Sequence, residues 1–185
     1  MDAVTAIMND HRVMERLFAA LRVVDGDPRE VLAEIKARLL AHSVAEEEHV
    51  YPALVKEDPG EAEQVHHGVD EHREAEEKLA AAEAAIGTPA FADACKEFIH
   101  AVTHHVEEEE TEILPALREE TPAAKLDELG AAFEERRLSE LAGTPYFDQN
   151  VTKDDLYNQA RKAGVAGRSD MNKDELRQAV ERQNR

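Results

Sequence analysis

The stretch that decides the fold is His105-Val-Glu-Glu-Glu-Glu-Thr-Glu-Ile-Leu-Pro-Ala-Leu117. It pairs His105 with Glu109, and on a helix this four-residue spacing puts both side chains on one face, about 5–6 Å apart at Cβ. A near copy occurs earlier as His42-Ser-Val-Ala-Glu-Glu-Glu-His-Val-Tyr-Pro-Ala-Leu54. The two stretches align without a gap at an offset of 63 residues, so His42 and Glu46 match His105 and Glu109.

A second and weaker repeat lies outside these stretches. Asp10-His11-Arg12 resembles Glu71-His72-Arg73 at an offset of 61 residues. The near-equal offsets predict a duplicated helical hairpin. Each half then offers one lone histidine and one His-x-x-x-Glu pair.

Charge divides the chain into two parts. Of its 185 residues, 151–185 hold 8 Lys/Arg and 6 Asp/Glu, whereas residues 1–150 hold 14 and 35. The net charges are therefore +2 and −21, which sum to the −19 of the whole chain. This break predicts a main domain at 1–142, a linker at 143–150 and a small module at 151–185.

Composition excludes several classes of protein. The single cysteine, Cys95, precludes an internal disulfide and fits a reducing compartment. Neither a signal peptide nor an apolar run long enough to span a membrane is evident, so we expect a cytoplasmic protein without membrane partners. The acidity of the main domain argues against nucleic acid as its partner and is compatible with cation binding.

Apolar periodicity predicts an all-α protein. Four long helices are joined by short connections rich in Pro and Gly, which is typical of an antiparallel up-down-up-down bundle. A fifth, shorter helix should end near Leu141, and short helices should begin at Thr152 and Asn172. Pro52 and Pro115 should kink or end their helices.

Six residues on the inward faces of the four helices point to metal chemistry; they are His11, His42, Glu46, His72, His105 and Glu109. Burying two carboxylates without partners is costly, and a pair of cations would offset that cost. Mixed imidazole and carboxylate ligands suit iron, manganese or zinc better than calcium.

The other histidines do not share this pattern. We expect His66, His67, His100 and His104 at the surface or just outside the site, whereas His49 lies one turn past Glu46, toward it. Tyr51 lies about 140° round an α-helix from Glu46 and should not ligate unless Pro52 distorts the turn.

The doubled pattern, with Pro-Ala-Leu after each pair, resembles the hemerythrin-like (HHE cation-binding) family over roughly residues 2–140. The resemblance implies a four-helix bundle that holds two iron ions, oxo- or hydroxo-bridged. His11, His42, His72 and His105 would be terminal ligands, and Glu46 and Glu109 would bridge. Oxygen-carrying members have a further histidine where this chain has Glu76. Either Glu76 ligates or a position stays open, which argues against a reversible oxygen carrier.

The C-terminal residues 156–176 resemble the SAP-like helix–extended-loop–helix module at the start of transcription terminator Rho. Such modules can bind nucleic acid, and Arg161, Lys162, Arg168 and Lys173 could touch phosphates. A net charge of only +2 is weak for that purpose, so packing or partner docking is the favoured interpretation.

These features lead to one main functional hypothesis and two rivals. The main hypothesis is a di-iron protein that reacts with hydrogen peroxide or oxygen, with catalase-like disproportionation as its enzymatic form. The first rival is a non-enzymatic sensor or store for iron, oxygen or redox state that signals through the C-terminal module. The second is a structural bundle with adventitious metal. The oligomeric state stays open.

Overall fold

A computed structural model describes residues 1–142, 144–145 and 153–183. The predicted linker at 143–150 lies outside the described residues except for Thr144 and Pro145, and so does Thr152. The chain forms two compact units, Met1–Ala142 and Gly143–Arg185. The described residues contain helices and no strands, which confirms the all-α prediction.

The first unit is a bundle of long helices joined by short turns. Because these turns reverse the chain, consecutive long helices run antiparallel. Two of the long helices are each interrupted by one π-helical segment, which we call π1 and π2. The elements are α1 (Ala3–Val23), α2 (Arg29–Ala45), π1 (Glu46–Val50), α3 (Tyr51–Glu57), α4 (Ala62–Ala85), α5 (Phe91–Glu108), π2 (Glu109–Ile113), α6 (Leu114–Glu120) and α7 (Ala123–Leu141).

The core consists of two apolar clusters with a polar layer between them. One cluster includes Ile7, Leu54 and Leu117, and the other includes Phe18, Ile35 and Phe98. Along α1 the order is Ile7, His11, Phe18, and all three are buried. The predicted histidines and glutamates therefore occupy a layer that apolar side chains enclose from both ends of the bundle.

The π-helical segments begin at the two motif glutamates, four residues after the aligned histidines. The backbone N–H of Tyr51 donates to the carbonyl of Glu46, and that of Leu114 donates to the carbonyl of Glu109, five residues back in each case. The sequence predicted that Pro52 and Pro115 kink or end their helices; neither ends its helix, because helical structure continues through both prolines. Each proline lies in the first turn of the resumed α-helix, where a missing N–H is tolerated.

Helix α7 packs along α1 and α2, has 19 residues and ends at Leu141, as predicted. Its Gly130 permits a very close approach of the chain's start. A Cβ built at Gly130 would lie 2.3 Å from the backbone oxygen of Met1 and 2.8 Å from the nitrogen of Ala3. Only glycine therefore fits at this crossing without a backbone shift.

The second unit contains α8 (Lys153–Lys162), a 3₁₀ turn (Arg168–Asp170) and α9 (Lys173–Gln183). The start of α9 is a reciprocal cap. Glu175 N–H donates to Asn172 Oδ1 at 3.0 Å, and Asn172 N–H donates to Glu175 Oε2 at 2.8 Å. This arrangement confirms the cap predicted at Asn172.

Nowhere in the described residues is a helix both long enough and apolar enough to cross a bilayer.

Candidate metal centre

The structure brings the six predicted residues together in the polar layer. All of them are at most 4% exposed, and the two carboxylates are fully buried; the six are His11, His42, Glu46, His72, His105 and Glu109. They come from the four long helical segments, and their ligand-type atoms form two overlapping clusters. One cluster contains His11, His42 and both glutamates, and the other contains Glu46 with His72 and His105.

The distances between these atoms match those expected around bound metals. His11 Nε2 lies 3.1 Å from Glu109 Oε2, and His42 Nε2 lies 3.1 Å from Glu46 Oε2. His72 Nε2 lies 3.4 Å from the same oxygen of Glu46. Ligand atoms held about 2.1 Å from one metal lie roughly 3.0–3.4 Å apart in octahedral or tetrahedral geometry. Glu46 thus faces a histidine of each cluster, as a bridging carboxylate would.

The second cluster is completed from α5. His105 Nε2 lies 3.1 Å from His72 Nε2 and 3.9 Å from Glu109 Oε2. Glu109 is therefore near His11 on one side and His105 on the other. Together the two carboxylates connect the two pairs of histidines.

Several buried atoms of this layer lack hydrogen bonds within the part of the chain that the structure describes. They are His11 Nε2, His42 Nε2, both carboxylate oxygens of Glu46, and Glu109 Oε2. The close imidazole and carboxylate atoms are thus not aligned as hydrogen-bonded pairs. Buried polar atoms without partners are costly. Their convergence on one place, with nitrogen and oxygen donors, fits a pair of transition-metal ions.

Every histidine of the centre is held from behind by an outer carboxylate. The Nδ1 atom of His11 lies 2.8 Å from Glu110, and that of His72 lies 2.9 Å from Glu47. Such contacts fix the orientation of a ligating imidazole and raise its basicity.

The other two histidines follow the same rule. The Nδ1 atom of His42 lies 3.1 Å from Asp10, and that of His105 lies 3.0 Å from Glu71. All four Nε2 atoms are thereby left to face the centre.

The outer carboxylates follow the duplication. Asp10 and Glu71 precede the lone histidines and hold the motif histidine of their own half. Glu47 and Glu110 follow the motif glutamates, and each holds the lone histidine of the other half. The sequence interpretation aligned these residues but gave them no role. Their positions beside each ligand were the signal that could have identified them.

Helix α7 closes one side of the centre. Arg137 Nη1 donates to Asp10 Oδ1 at 3.2 Å. The Phe133 ring meets the His42 ring edge-on, with centroids 5.7 Å apart. Helix α7 supplies apolar packing through this ring. In the structure it also orients the carboxylate behind His42.

Ionisable groups within the layer shift one another's pKa values. Burial opposes ionisation of Glu46, but His42 and His72 outweigh it and hold the pKa of Glu46 well below its usual range. Burial likewise opposes the charge on His72, but the nearby carboxylates of Glu46 and Glu47 raise its pKa to about 9. Metal binding must displace such protons, because an imidazole coordinates only when it is neutral.

Tyr51 reaches the centre, contrary to the expectation for an undistorted α-helix. Its hydroxyl donates to Glu109 Oε1 at 3.2 Å, and its ring stacks on that of His72 with centroids 5.8 Å apart. In a π-helix five residues complete about one turn, so π1 returns Tyr51 toward the face of Glu46. Gly68 leaves room for the hydroxyl, which is 3.2 Å from a Cβ built there.

Glu76, the alternative seventh ligand, is exposed and outside both clusters. The buried face of α4 runs through Gly68, His72, Ala75 and Leu79, and Glu76 lies to one side of it. His49 is half-buried and also outside the clusters.

The surface assignment was confirmed for the four remaining histidines. His66, His67, His100 and His104 are all exposed.

Comparison with known families gives one finding. The family described as Hemerythrin HHE cation binding domain matches residues 2–117, more than half of the chain, including all six residues of the centre. No curated protein and no solved structure matched the chain.

Proposed function

Because the chain belongs to the hemerythrin HHE cation-binding family, we propose that it is a non-haem di-iron protein that reacts with hydrogen peroxide or oxygen. The enzymatic form of this activity is catalase-like disproportionation of peroxide. The centre lies within an acidic protein whose single cysteine is buried, and we place the protein in the cytoplasm.

One observation carries this proposal: two buried clusters of imidazole and carboxylate atoms share Glu46. A shared carboxylate holds two metals at a fixed separation, which suits a reaction that needs two electrons. His11 and His42 would hold one iron, His72 and His105 the other, and Glu46 and Glu109 would connect them. When bound, the pair of irons would supply the electron exchange with peroxide or oxygen.

The surrounding residues give the site its other properties. Outer carboxylates keep the four imidazoles in the orientation for binding. The two apolar clusters above and below exclude bulk water and strengthen electrostatic interactions in the layer. The Tyr51 hydroxyl holds Glu109 Oε1, so that the other oxygen of Glu109 faces His11.

Only four imidazoles reach the centre, and Glu76 is exposed. Such a ligand set is compatible with a position for a small molecule on one of the metals. We therefore favour reaction with peroxide over reversible carriage of oxygen.

The test is metal content and reactivity of the protein purified in air. We expect two irons per chain, near-ultraviolet absorption from the paired centre, and oxygen release measured with an electrode after peroxide addition. Chains with two irons but only slow, stoichiometric bleaching would contradict turnover. Failure to take up ferrous iron under anaerobic reconstitution would contradict the centre itself.

A second candidate function is a sensor or store that signals through the C-terminal unit. The observation in its favour is a compact helical unit with Arg161 and Lys173 exposed. We propose that this unit is an SAP-like module that docks a partner, with nucleic acid the less favoured ligand. A shift in the affinity of the full chain for a partner between oxidised and reduced iron would support this role.

A further inference from the structure

A second group of metal-binding side chains lies on the solvent side of α4 and α5. We call it the outer cluster; it consists of His67, Glu71, His104 and Glu108. His67 Nε2 lies 3.3 Å from Glu108 Oε2 and 3.8 Å from Glu71 Oε1. His104 Nε2 lies 3.3 Å from the other oxygen of Glu108. Neither His67 nor His104 belongs to the centre described above.

The spacing of three of these atoms fits a single cation. The nearest ligand atoms of His67, Glu71 and Glu108 all lie within 4.8 Å of one another. Ligands at about 2.1 Å from a tetrahedral metal lie roughly 3.4 Å apart. The observed 3.3 and 3.8 Å require only small side-chain movements, and both histidines are free to move because they are more than half exposed.

The duplication shows that these residues are not simply part of the repeated scaffold. At the offsets of 61 and 63 residues, the first half has Ala6, Ala41 and Ala45 where the second half has His67, His104 and Glu108. The three alanines are at most 1% exposed, and Ala6 and Ala45 belong to the apolar cluster that contains Phe133 of α7. In the first half, the positions equivalent to the outer cluster are small apolar residues that are buried in the bundle. In the second half, the same positions carry side chains that can bind a metal.

Charge supports the same conclusion. In the first half, the carboxylate of Asp10 holds His42 on one side and contacts Arg137 on the other. In the second half, Glu71 holds His105 with one oxygen and turns the other toward His67. A cation bound in the outer cluster would place a positive charge next to the Glu71 carboxylate, just as Arg137 places one next to the Asp10 carboxylate.

We propose that the outer cluster is a solvent-facing site for a divalent transition-metal ion of the zinc type, bound by His67, Glu71 and Glu108, with His104 oriented by Glu108. One imidazole and two carboxylates supply nitrogen and oxygen donors of the kinds that such an ion binds. The site is joined to the buried centre through Glu71, which contacts both His67 and His105. It does not depend on the reaction that the centre performs.

The experiment is calorimetric titration of the full-length, iron-loaded protein with Zn²⁺. We expect one Zn²⁺ to bind per chain in addition to the iron. His67→Ala and Glu108→Gln should each weaken this binding by about tenfold or more, while the iron content stays unchanged. His66→Ala is the matched control, because His66 is the exposed neighbour of His67 on α4 and pairs with Asp70, which is not part of the outer cluster.

The proposal would be overturned if His67→Ala and His66→Ala bound Zn²⁺ equally, or if the wild type bound none. Iron content and oxygen release are measured on the wild type before Zn²⁺ is added. A chain that lacks iron or turnover contradicts the proposed function, whereas the comparison of His67→Ala with His66→Ala still decides the outer site.

Discussion

The Nδ1 atom of His11 in α1 lies 2.8 Å from Glu110 Oε1 in π2, 99 residues later in the chain. The contact turns His11 Nε2 toward Glu109. We expect Glu110→Gln to keep the fold and to lower iron affinity by about 10- to 100-fold, because an amide orients the imidazole less strongly than a carboxylate. Iron retention against a chelator measures this effect.

The matched control for this variant is Glu112→Gln in the same π-helical segment, where Glu112 is exposed. It removes the same charge two residues away. Equal iron loss in both variants would contradict a specific role for Glu110 and indicate only the effect of net charge.

Removal of a ligand should have a larger effect than removal of its support. His105→Ala or Glu109→Ala should lose bound iron and lower the midpoint of thermal unfolding, because metal binding is linked to folding. His104→Ala, which changes the exposed neighbour of His105, should retain both irons. Iron content and thermal unfolding of the three variants test whether His105 lies on the inward face of α5 and His104 on its exposed face.

Tyr51→Phe tests the residue that π1 brings to the centre. The variant removes the donor to Glu109 while it keeps the ring that stacks on His72. We expect the free energy of unfolding of the metal-free protein to fall by about 1–3 kcal/mol, because the buried Glu109 Oε1 loses its hydrogen-bond donor. Chemical denaturation measures it. Tyr157→Phe, in the C-terminal unit, should leave the iron content unchanged.

Gly130→Ala tests the close crossing of the chain's start and α7. In an open helix this change would stabilise by about 1 kcal/mol. Here the new Cβ would meet backbone atoms at 2.3–2.8 Å, so we expect a destabilisation of about 1–3 kcal/mol. Gly68→Ala is the comparison, since its nearest contact is the Tyr51 hydroxyl at 3.2 Å. If Gly130→Ala unfolded with a higher free energy than the wild type, the close approach of residues 1–3 to Gly130 would be contradicted.

Asp2 caps α1, and its contribution should depend on pH. The Thr5 N–H donates to Asp2 Oδ1 at 3.0 Å, and this bond lowers the pKa of Asp2. Asp2→Ala should cost about 1 kcal/mol at neutral pH. Because the pKa of Asp2 is lower in the folded than in the unfolded protein, ionised Asp2 stabilises the folded protein fully at pH values above the unfolded-state pKa. This stabilisation is lost as the pH falls through the folded-state pKa. Denaturation of metal-free protein from pH 7 downward should show that the difference in unfolding free energy between the wild type and Asp2→Ala becomes smaller. Asp2→Asn should have an unfolding free energy close to that of the wild type.

Much of the fold could be predicted because the periodic stripes are long. In α1, for example, Ile7, His11, Met14, Phe18 and Leu21 recur at helical spacing, and all five are buried. The doubled His-x-x-x-Glu pattern could likewise be placed on inward faces, because helical geometry converts spacing directly into direction. The structure brings those ligand candidates together.

The positions of Tyr51, Arg137 and Glu76 could not be predicted from the spacing of residues along the sequence. Tyr51 points inward only because π1 adds a residue to one turn, and an α-helical projection places it elsewhere. Arg137 reaches Asp10 from 127 residues away, a contact set by how α7 packs on the bundle. Glu76 is exposed because the buried face of α4 runs through His72, Ala75 and Leu79 and leaves Glu76 to one side. The four-residue spacing from His72 does not show on which side of His72 the buried face is centred.

The crossed contacts of the lone histidines also bear on how the protein folds. His11 depends on Glu110 of the second half, and His72 depends on Glu47 of the first. Neither hairpin alone can orient its full set of imidazoles. We therefore expect tight metal capture to follow the docking of the two hairpins. An incomplete chain that lacks the second hairpin would not orient all four imidazoles, and we expect it to retain metal poorly.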